Sequence, residues 1–223
     1  MANIQFIGRA GELSKLNEIS EKNFFLIVRG RRRIGKTSLL RKAFQQAVYI
    51  FTWPDKSIDW ILEQISEEYH LPKFKNFGSL LEYLFEQNKI VIIDEFQNFL
   101  NVDKSIYGEI QEILDRRKQK KKAFRLAIAG SSYSLMNKVF YDSASPLYGR
   151  KTHEIILGNL DIPSLLKELR ISLEEFIESW SVFEGVPYYY ELIDLKKPAR
   201  DNIFTLILSQ NSQLKEEGKE NYL

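Results

Sequence analysis

The sequence predicts an α/β fold: a mostly parallel, five-stranded sheet flanked by helices, followed by a small helical subdomain. Three observations carry this. Short runs that are apolar at consecutive positions recur up to about residue 158. Segments with helical periodicity lie between them, and alternation of the two kinds is the pattern of a layered α/β domain. Beyond Leu160 the strand signals stop, while helical patterns continue to about Ser209.

The strand runs are 24–28, 48–51, 90–93 and 126–129, with a fifth expected at 153–157. Because their apolar residues are successive rather than alternating, they read as strands buried on both faces, as in a parallel sheet covered by helices. A helix opens at about Lys36 and carries Leu39, Leu40, Ala43 and Phe44. Ile58, Ile61, Leu62, Ile65 and Tyr69 recur at helical spacing, as do Ile106, Ile110, Ile113 and Leu114, and a further helix is expected over 133–140. Ser172 and Glu175 form the start signal of a capping box for a helix in the last part. The division expected is therefore a core at 1–158 and a helical subdomain at 159–223.

Composition narrows the class. A 223-residue chain with 44% hydrophobic and 28% charged residues can bury a substantial core. A net charge of +2 gives no overall attraction for nucleic acid. The absence of cysteine excludes a disulfide scaffold and thiolate zinc sites. The N-terminus has neither a basic-then-apolar leader nor an Arg/Ser-rich presequence. No apolar run approaches the roughly 20 residues that span a bilayer. The expectation is a cytoplasmic protein with no membrane contact.

Residues 30–38, Gly-Arg-Arg-Arg-Ile-Gly-Lys-Thr-Ser, fill every fixed position of G-x-x-x-x-G-K-[ST]. Gly30 and Gly35 permit backbone angles that let consecutive N–H groups turn around phosphate oxygens. Lys36 offers a point charge to the β- and γ-phosphates, and the Thr37 hydroxyl is a ligand for Mg²⁺. Arg33, Ile34 and Ser38 complete the candidate cradle. The pattern follows a buried strand and opens a helix whose positive end faces the anion, which is the context the motif requires. The chain therefore reads as a P-loop NTPase. Ile90-Val91-Ile92-Ile93-Asp94-Glu95 supplies the partner: an apolar strand ends in two acids at the sheet edge where ligands bind. Asp94 is placed in the Mg²⁺ shell, and Glu95 as the base that orients and deprotonates water. After the strand at 126–129, Ser131 and Ser132 either hydrogen-bond phosphate or water, or cap the next helix. Asn137-Lys138-Val139-Phe140 lacks the acid of a guanine-reading element, which favours ATP/ADP.

Together these residues resemble the archaeal-type ATPase family, within the AAA+ and STAND classes of P-loop ATPases. The resemblance covers nearly the whole chain. It rests on Phe6-Ile7-Gly8-Arg9, residues 30–38, the run from Val91 to Gln97, Ala129-Gly130-Ser131-Ser132, the run from Ser145 to Arg150, and Glu184-Gly185-Val186-Pro187 with Tyr188 and Tyr189. It implies that Gly8 and Arg9 line the adenine side of the site, and that Pro187 lies in the element by which a helical lid touches nucleotide. It also implies an arginine finger at Arg150 that reaches a neighbouring subunit in a homo-oligomer; the alternative for Arg150 is an ion pair within its own domain. Glu184 departs from the family's Gly-Gly-x-Pro. Family members usually continue into a winged-helix and often a nuclease-like region, which this chain is expected to lack.

The cations between Arg116 and Lys122 fit either contact with DNA phosphates or the solvated C-terminal end of a helix. Tyr188, Tyr189 and Tyr190 fit base stacking or, better, the core of the helical part. The function expected is Mg²⁺-dependent ATP hydrolysis that drives a conformational change. A slow, nucleotide-gated interaction switch is the alternative, and a small-molecule kinase ranks last because no acceptor pocket is legible.

Overall fold

The computed structural model describes residues 6–210 and 212–214. The remaining residues include most of the segment read for targeting signals and the last nine positions of the polar tail, so those two expectations lie outside the described residues. The chain divides into two compact units.

The larger unit, Ala10–Leu157, begins with α1 (Ala10–Ile19) and β1 (Phe24–Arg29). α2 (Lys36–Ala43), β2 (Val48–Phe51), α3 (Ile58–Glu68) and α4 (Phe77–Glu86) follow. Then come β3 (Val91–Asp94), a 3-10 turn (Phe96–Asn98), the short α5 (Phe99–Val102) and α6 (Ser105–Gln119). β4 (Arg125–Gly130), α7 (Tyr133–Phe140) and β5 (His153–Ile156) complete it. All pairings are parallel, in the order β2-β3-β4-β1-β5.

The three central strands are buried as their sequences predict: β1 and β3 are buried throughout, and β4 at all but its first residue. The outer two differ. β2 alternates buried and half-buried positions, and β5 is half-buried to exposed along its length. Each has a neighbour on one side only, so fewer apolar positions are covered. Phe25, Ile27, Ile93 and Ile128 share a buried cluster with Ile61 and Ile65 of α3, Leu80 and Leu84 of α4, and Ile110 and Leu114 of α6. On the opposite face Phe24 stacks on Phe44, ring centroids 5.4 Å apart.

Two polar clusters tie this unit together. Arg29, at the carboxyl end of β1, is buried; its Nε pairs with Glu154 of β5 at 2.7 Å, and its Nη1 donates to Asn137 of α7 at 2.9 Å. Its guanidinium also lies 5.1 and 4.9 Å from the ring centroids of Tyr133 and Tyr141. Arg117 of α6, likewise buried, pairs with Glu82 at 2.6 Å and Glu86 at 3.0 Å, and donates to the Ala123 carbonyl at 2.7 Å. A buried guanidinium with several acceptors avoids the cost of an unpaired charge.

The smaller unit joins residues 6–9 to 158–214. It contains α8 (Ile162–Leu169), α9 (Leu173–Phe183), α10 (Pro187–Leu192) and α11 (Ala199–Ile203), the last running into a π-helical turn at Phe204–Leu208. Here the structure departs from the division at residue 158. Ile7 is buried with Leu160, Leu165, Phe176, Phe183 and Tyr190, and Arg9 Nη2 donates to the Gly158 carbonyl at 2.5 Å. One apolar residue and one guanidinium thus draw the start of the chain into the helical unit. The tyrosines behave as core residues: Tyr190 is fully buried, and Tyr188 and Tyr189 pack against the same cluster.

The turn at 184–187 is tight. Leu160 N–H donates to the Gly185 carbonyl at 2.7 Å, and a Cβ on Gly185 would lie 2.3 Å from the Leu160 carbonyl oxygen. Glu184, standing where the family's pattern has its first glycine, sits at φ 50°, ψ −138°. That conformation is strained for a residue with a Cβ. Two opposite outcomes follow in urea denaturation. Gly185→Ala lowers stability by about 1–3 kcal/mol through a backbone clash. Glu184→Gly raises it by about 1 kcal/mol by relieving the strained dihedral. An unchanged midpoint for both variants would contradict this account of the turn.

Candidate nucleotide site

The parallel register brings the functional residues to one edge. Arg29 of β1 lies beside Gly130 of β4, so Gly30 and Ser131 leave the sheet at the same level. Ile93 of β3 lies beside Ile128, which brings Asp94 and Glu95 to that edge as well.

The loop at 30–35 is held by its glycines and one apolar anchor. A Cβ on Gly30 would lie 2.6 Å from the Leu157 carbonyl and 3.0 Å from Ile34 Cγ2. Ile34 is buried, so it serves the loop through its backbone while its side chain joins the core. Arg33 and Gly35 take positive φ values of 65° and 86°. Gly35 caps α2 without a side-chain hydrogen bond, so no cap side chain occupies the first-turn N–H groups that an anion would meet. Lys36 is buried, and its Nζ donates to the carbonyls of Gly30 and Arg31, both at 2.9 Å. Burial pushes the Lys36 ammonium below its usual range, against the opposing pull of Glu95 and Asp94. An arriving polyanion would favour the charged form further.

The acids connect directly to this loop. Thr37 Oγ1 donates to Asp94 Oδ2 at 2.5 Å. Tyr49 Oη donates to the same oxygen at 2.9 Å, and the Glu95 N–H donates to Asp94 Oδ1 at 2.9 Å. Glu95 has φ 49°, a left-handed conformation uncommon outside glycine, asparagine and aspartate. The next residue explains how it is held. Phe96 is fully buried and packs against Phe99, Tyr107 and Phe140 at centroid distances of 5.3–5.7 Å. Glu95 Oε2 accepts from Ser131 Oγ at 2.7 Å and from Gln97 Nε2 at 2.5 Å. Gln97 is buried, and its Oε1 has no hydrogen-bond partner. That oxygen lies where a side chain on Gly130 would begin, 2.6 Å from an added Cβ.

Ser131 therefore faces Glu95, while Ser132 accepts from the Leu135 N–H and caps α7. Tyr49 and Gln97 were not singled out from the sequence. The alternation of β2 places Tyr49 on the face it shares with Phe51, whose register partner is Asp94; diagonal neighbours on one sheet face are within reach of a long side chain.

The structure brings Lys36, Thr37, Asp94, Glu95 and Ser131 together. Gly8 and Arg9 (φ 64° and 65°) and Pro187 at the start of α10 belong to the helical unit. Arg150 is engaged within its own unit: Nη2 lies 2.9 Å from Asp115 Oδ2, Nε also faces that carboxylate, and Nη1 donates to the Pro146 carbonyl at 2.7 Å. Of the basic run, Arg116 and Lys122 join Arg117 in pairing with Glu82 and Glu86.

The oxygen donors of Thr37 and Asp94 suit a hard cation such as Mg²⁺. Among the described residues no group of three or more His, Cys, Asp or Glu could hold a metal ion. A magnesium ion here would depend on phosphate oxygens and water for its remaining ligands, its usual manner with nucleotides. Among the described residues no helix is long and apolar enough to cross a membrane.

The AAA domain family matches residues 22–178 of the chain. The uncharacterized protein MJECL04 of Methanocaldococcus jannaschii is 32% identical over 206 residues, which cover 85% of this chain and 44% of that protein. The chain thus spans less than half the length of that curated relative. The fold is shared with the Walker-type ATPase PABY2304 of Pyrococcus abyssi (TM-score 0.69, 18% identity, 89% of this chain and 71% of that one). It is shared also with Cdc6p of Pyrobaculum aerophilum (TM-score 0.58, 16% identity, 86% and 61%). A third is the STAND protein PH0952 of Pyrococcus horikoshii (TM-score 0.55, 19% identity, 91% and 32%). With a phosphate loop, a strand-end acid pair and a family match over most of its length, the chain belongs to the AAA domain family of P-loop ATPases.

Proposed function

We propose that the chain binds ATP with Mg²⁺ at residues 30–38 and hydrolyses it to ADP and phosphate. The observation that carries this is the Thr37–Asp94 hydrogen bond, which joins the loop to the acid pair. The loop and the acid pair are thereby within hydrogen-bonding distance of each other, as binding of one nucleotide by both would require. Thr37 and Asp94 would hold Mg²⁺, directly and through water respectively. When bound, Mg²⁺ neutralises charge on the phosphate oxygens.

This chain's own residues do the rest. Lys36 exchanges the Gly30 and Arg31 carbonyls for phosphate oxygens. Gly35 and the first turn of α2 present N–H groups to them. Glu95 Oε2 is held by Ser131 and Gln97, which leaves Oε1 to orient water and accept its proton as the oxygen attacks the γ-phosphorus. The bond to the departing β–γ bridging oxygen then breaks, and that oxygen leaves with ADP.

One observation favours the slower, switch-like reading: both donors converge on Oε2 of Glu95, so Oε1 meets water only in the one orientation they fix, and any other orientation has two hydrogen bonds to break. In the run from Arg116 to Lys122, Arg116, Arg117 and Lys122 are paired with glutamates, so contact with DNA there would fall to the exposed Lys118, Lys120 and Lys121. A finger at Arg150 would first have to release Asp115.

Glu95→Gln is expected to retain Mg·ATP binding within about threefold while phosphate release falls about 10²–10⁴-fold; turnover that barely changes would support the switch. Ser131→Ala is expected to lower kcat about tenfold with little change in KM, since it loosens the base without touching the phosphates. A rise in kcat would instead show that Ser131 restrains Glu95.

A further inference from the structure

We infer that Tyr49 is a positioning residue for magnesium: its hydroxyl fixes the Asp94 carboxylate in the orientation that receives the metal's water shell. The inference rests on the proposed ATPase reading. Asp94 Oδ2 accepts from Thr37 at 2.5 Å and from Tyr49 at 2.9 Å. The two donors differ in what else they must do when Mg·ATP binds. The Thr37 hydroxyl has a lone pair for the cation while its proton stays hydrogen-bonded to Oδ2, so its position is shared between the metal and the acid. The phenol of Tyr49 serves Asp94 alone. It fixes Oδ2 from the protein side, as the Glu95 N–H fixes Oδ1.

Tyr49 is itself held from three directions. Its N–H donates to Tyr69 Oη at 2.9 Å, and Tyr69 Oη donates back to its carbonyl at 3.3 Å. The Arg41 guanidinium lies 4.0 Å from its ring centroid. Arg41 belongs to α2, the helix that begins with Lys36 and Thr37, so one face of the tyrosine is fixed to the same rigid element as the phosphate loop. β2 supplies the other fixed point, because Phe51 pairs with Asp94 across the sheet. A hydroxyl held this firmly against a carboxylate is the arrangement by which outer groups set a metal's coordination sphere.

The test compares nucleotide affinity with and without the metal, using a fluorescent ATP analogue titrated into wild type and Tyr49→Phe, in excess EDTA and across a range of Mg²⁺ concentrations. Tyr49→Phe is expected to bind the analogue in EDTA as wild type does, within about twofold. The Mg²⁺ concentration giving half of the metal-dependent gain in affinity is expected to rise about tenfold. Tyr69→Phe, which loosens the backbone anchor and leaves the Tyr49 hydroxyl in place, is expected to shift it in the same direction by less. Melting in EDTA registers any general loss of structure. If Tyr49→Phe leaves the Mg²⁺ midpoint unchanged while wild type shows a clear metal-dependent gain, the role of Tyr49 is overturned and the ATPase reading stands. An equal loss in EDTA and in Mg²⁺ would make Tyr49 a structural residue only. If wild type shows no metal-dependent gain at all, both readings fall together.

Discussion

Everything at the site depends on three adjacent strands running in one direction. Because β3, β4 and β1 are parallel neighbours, their carboxyl ends fall on a single edge of the sheet. The phosphate loop, the acid pair and Ser131 are simply what each strand carries next. Burial of the central strands on both faces makes that alignment rigid, since a slip in register would displace fully buried side chains into the helices on either side. Rigidity matters because a site that works by positioning loses much of its effect over an ångström.

The second level is local. Glu95 occupies a left-handed backbone conformation that an acidic side chain does not favour, and the residues around it maintain that conformation. Phe96, buried among aromatic rings, pins the turn, while Ser131 and Gln97 hold the carboxylate. Gly130 leaves room for the Gln97 amide, whose buried oxygen has no hydrogen-bond partner, a cost that falls beside the Glu95 carboxylate. Asp94 is similarly surrounded, by Thr37, Tyr49 and its own neighbour's N–H. The acids are thus set by donors from four different segments, and no single motif contains the whole arrangement.

That distribution explains what could be read in the sequence. The five strands, the phosphate loop and the placing of Asp94 and Glu95 at a strand end beside it were legible because each is encoded by contiguous residues with a strict chemical requirement. The exposed edges of β2 and β5 were less so, since a run such as Val48-Tyr49-Ile50-Phe51 does not reveal whether one side or both will be covered. Tyr49 and Gln97 were hidden for a related reason. A tyrosine in a strand looks like core packing until pairing with β3 sets it diagonal to Asp94, and a glutamine two positions past the acids has no motif of its own. The recruitment of Ile7 and Arg9 into the helical unit was likewise invisible, because a contact across some 150 residues has no local signature.

The central claim, that residues 30–38 cradle a nucleotide, is tested most directly by calorimetric titration of Mg·ATP into wild type and Lys36→Ala. One nucleotide should bind per wild-type chain, and Lys36→Ala should weaken binding by about two orders of magnitude, since it removes a buried cation from the phosphates. Equal binding by the two proteins would contradict the account.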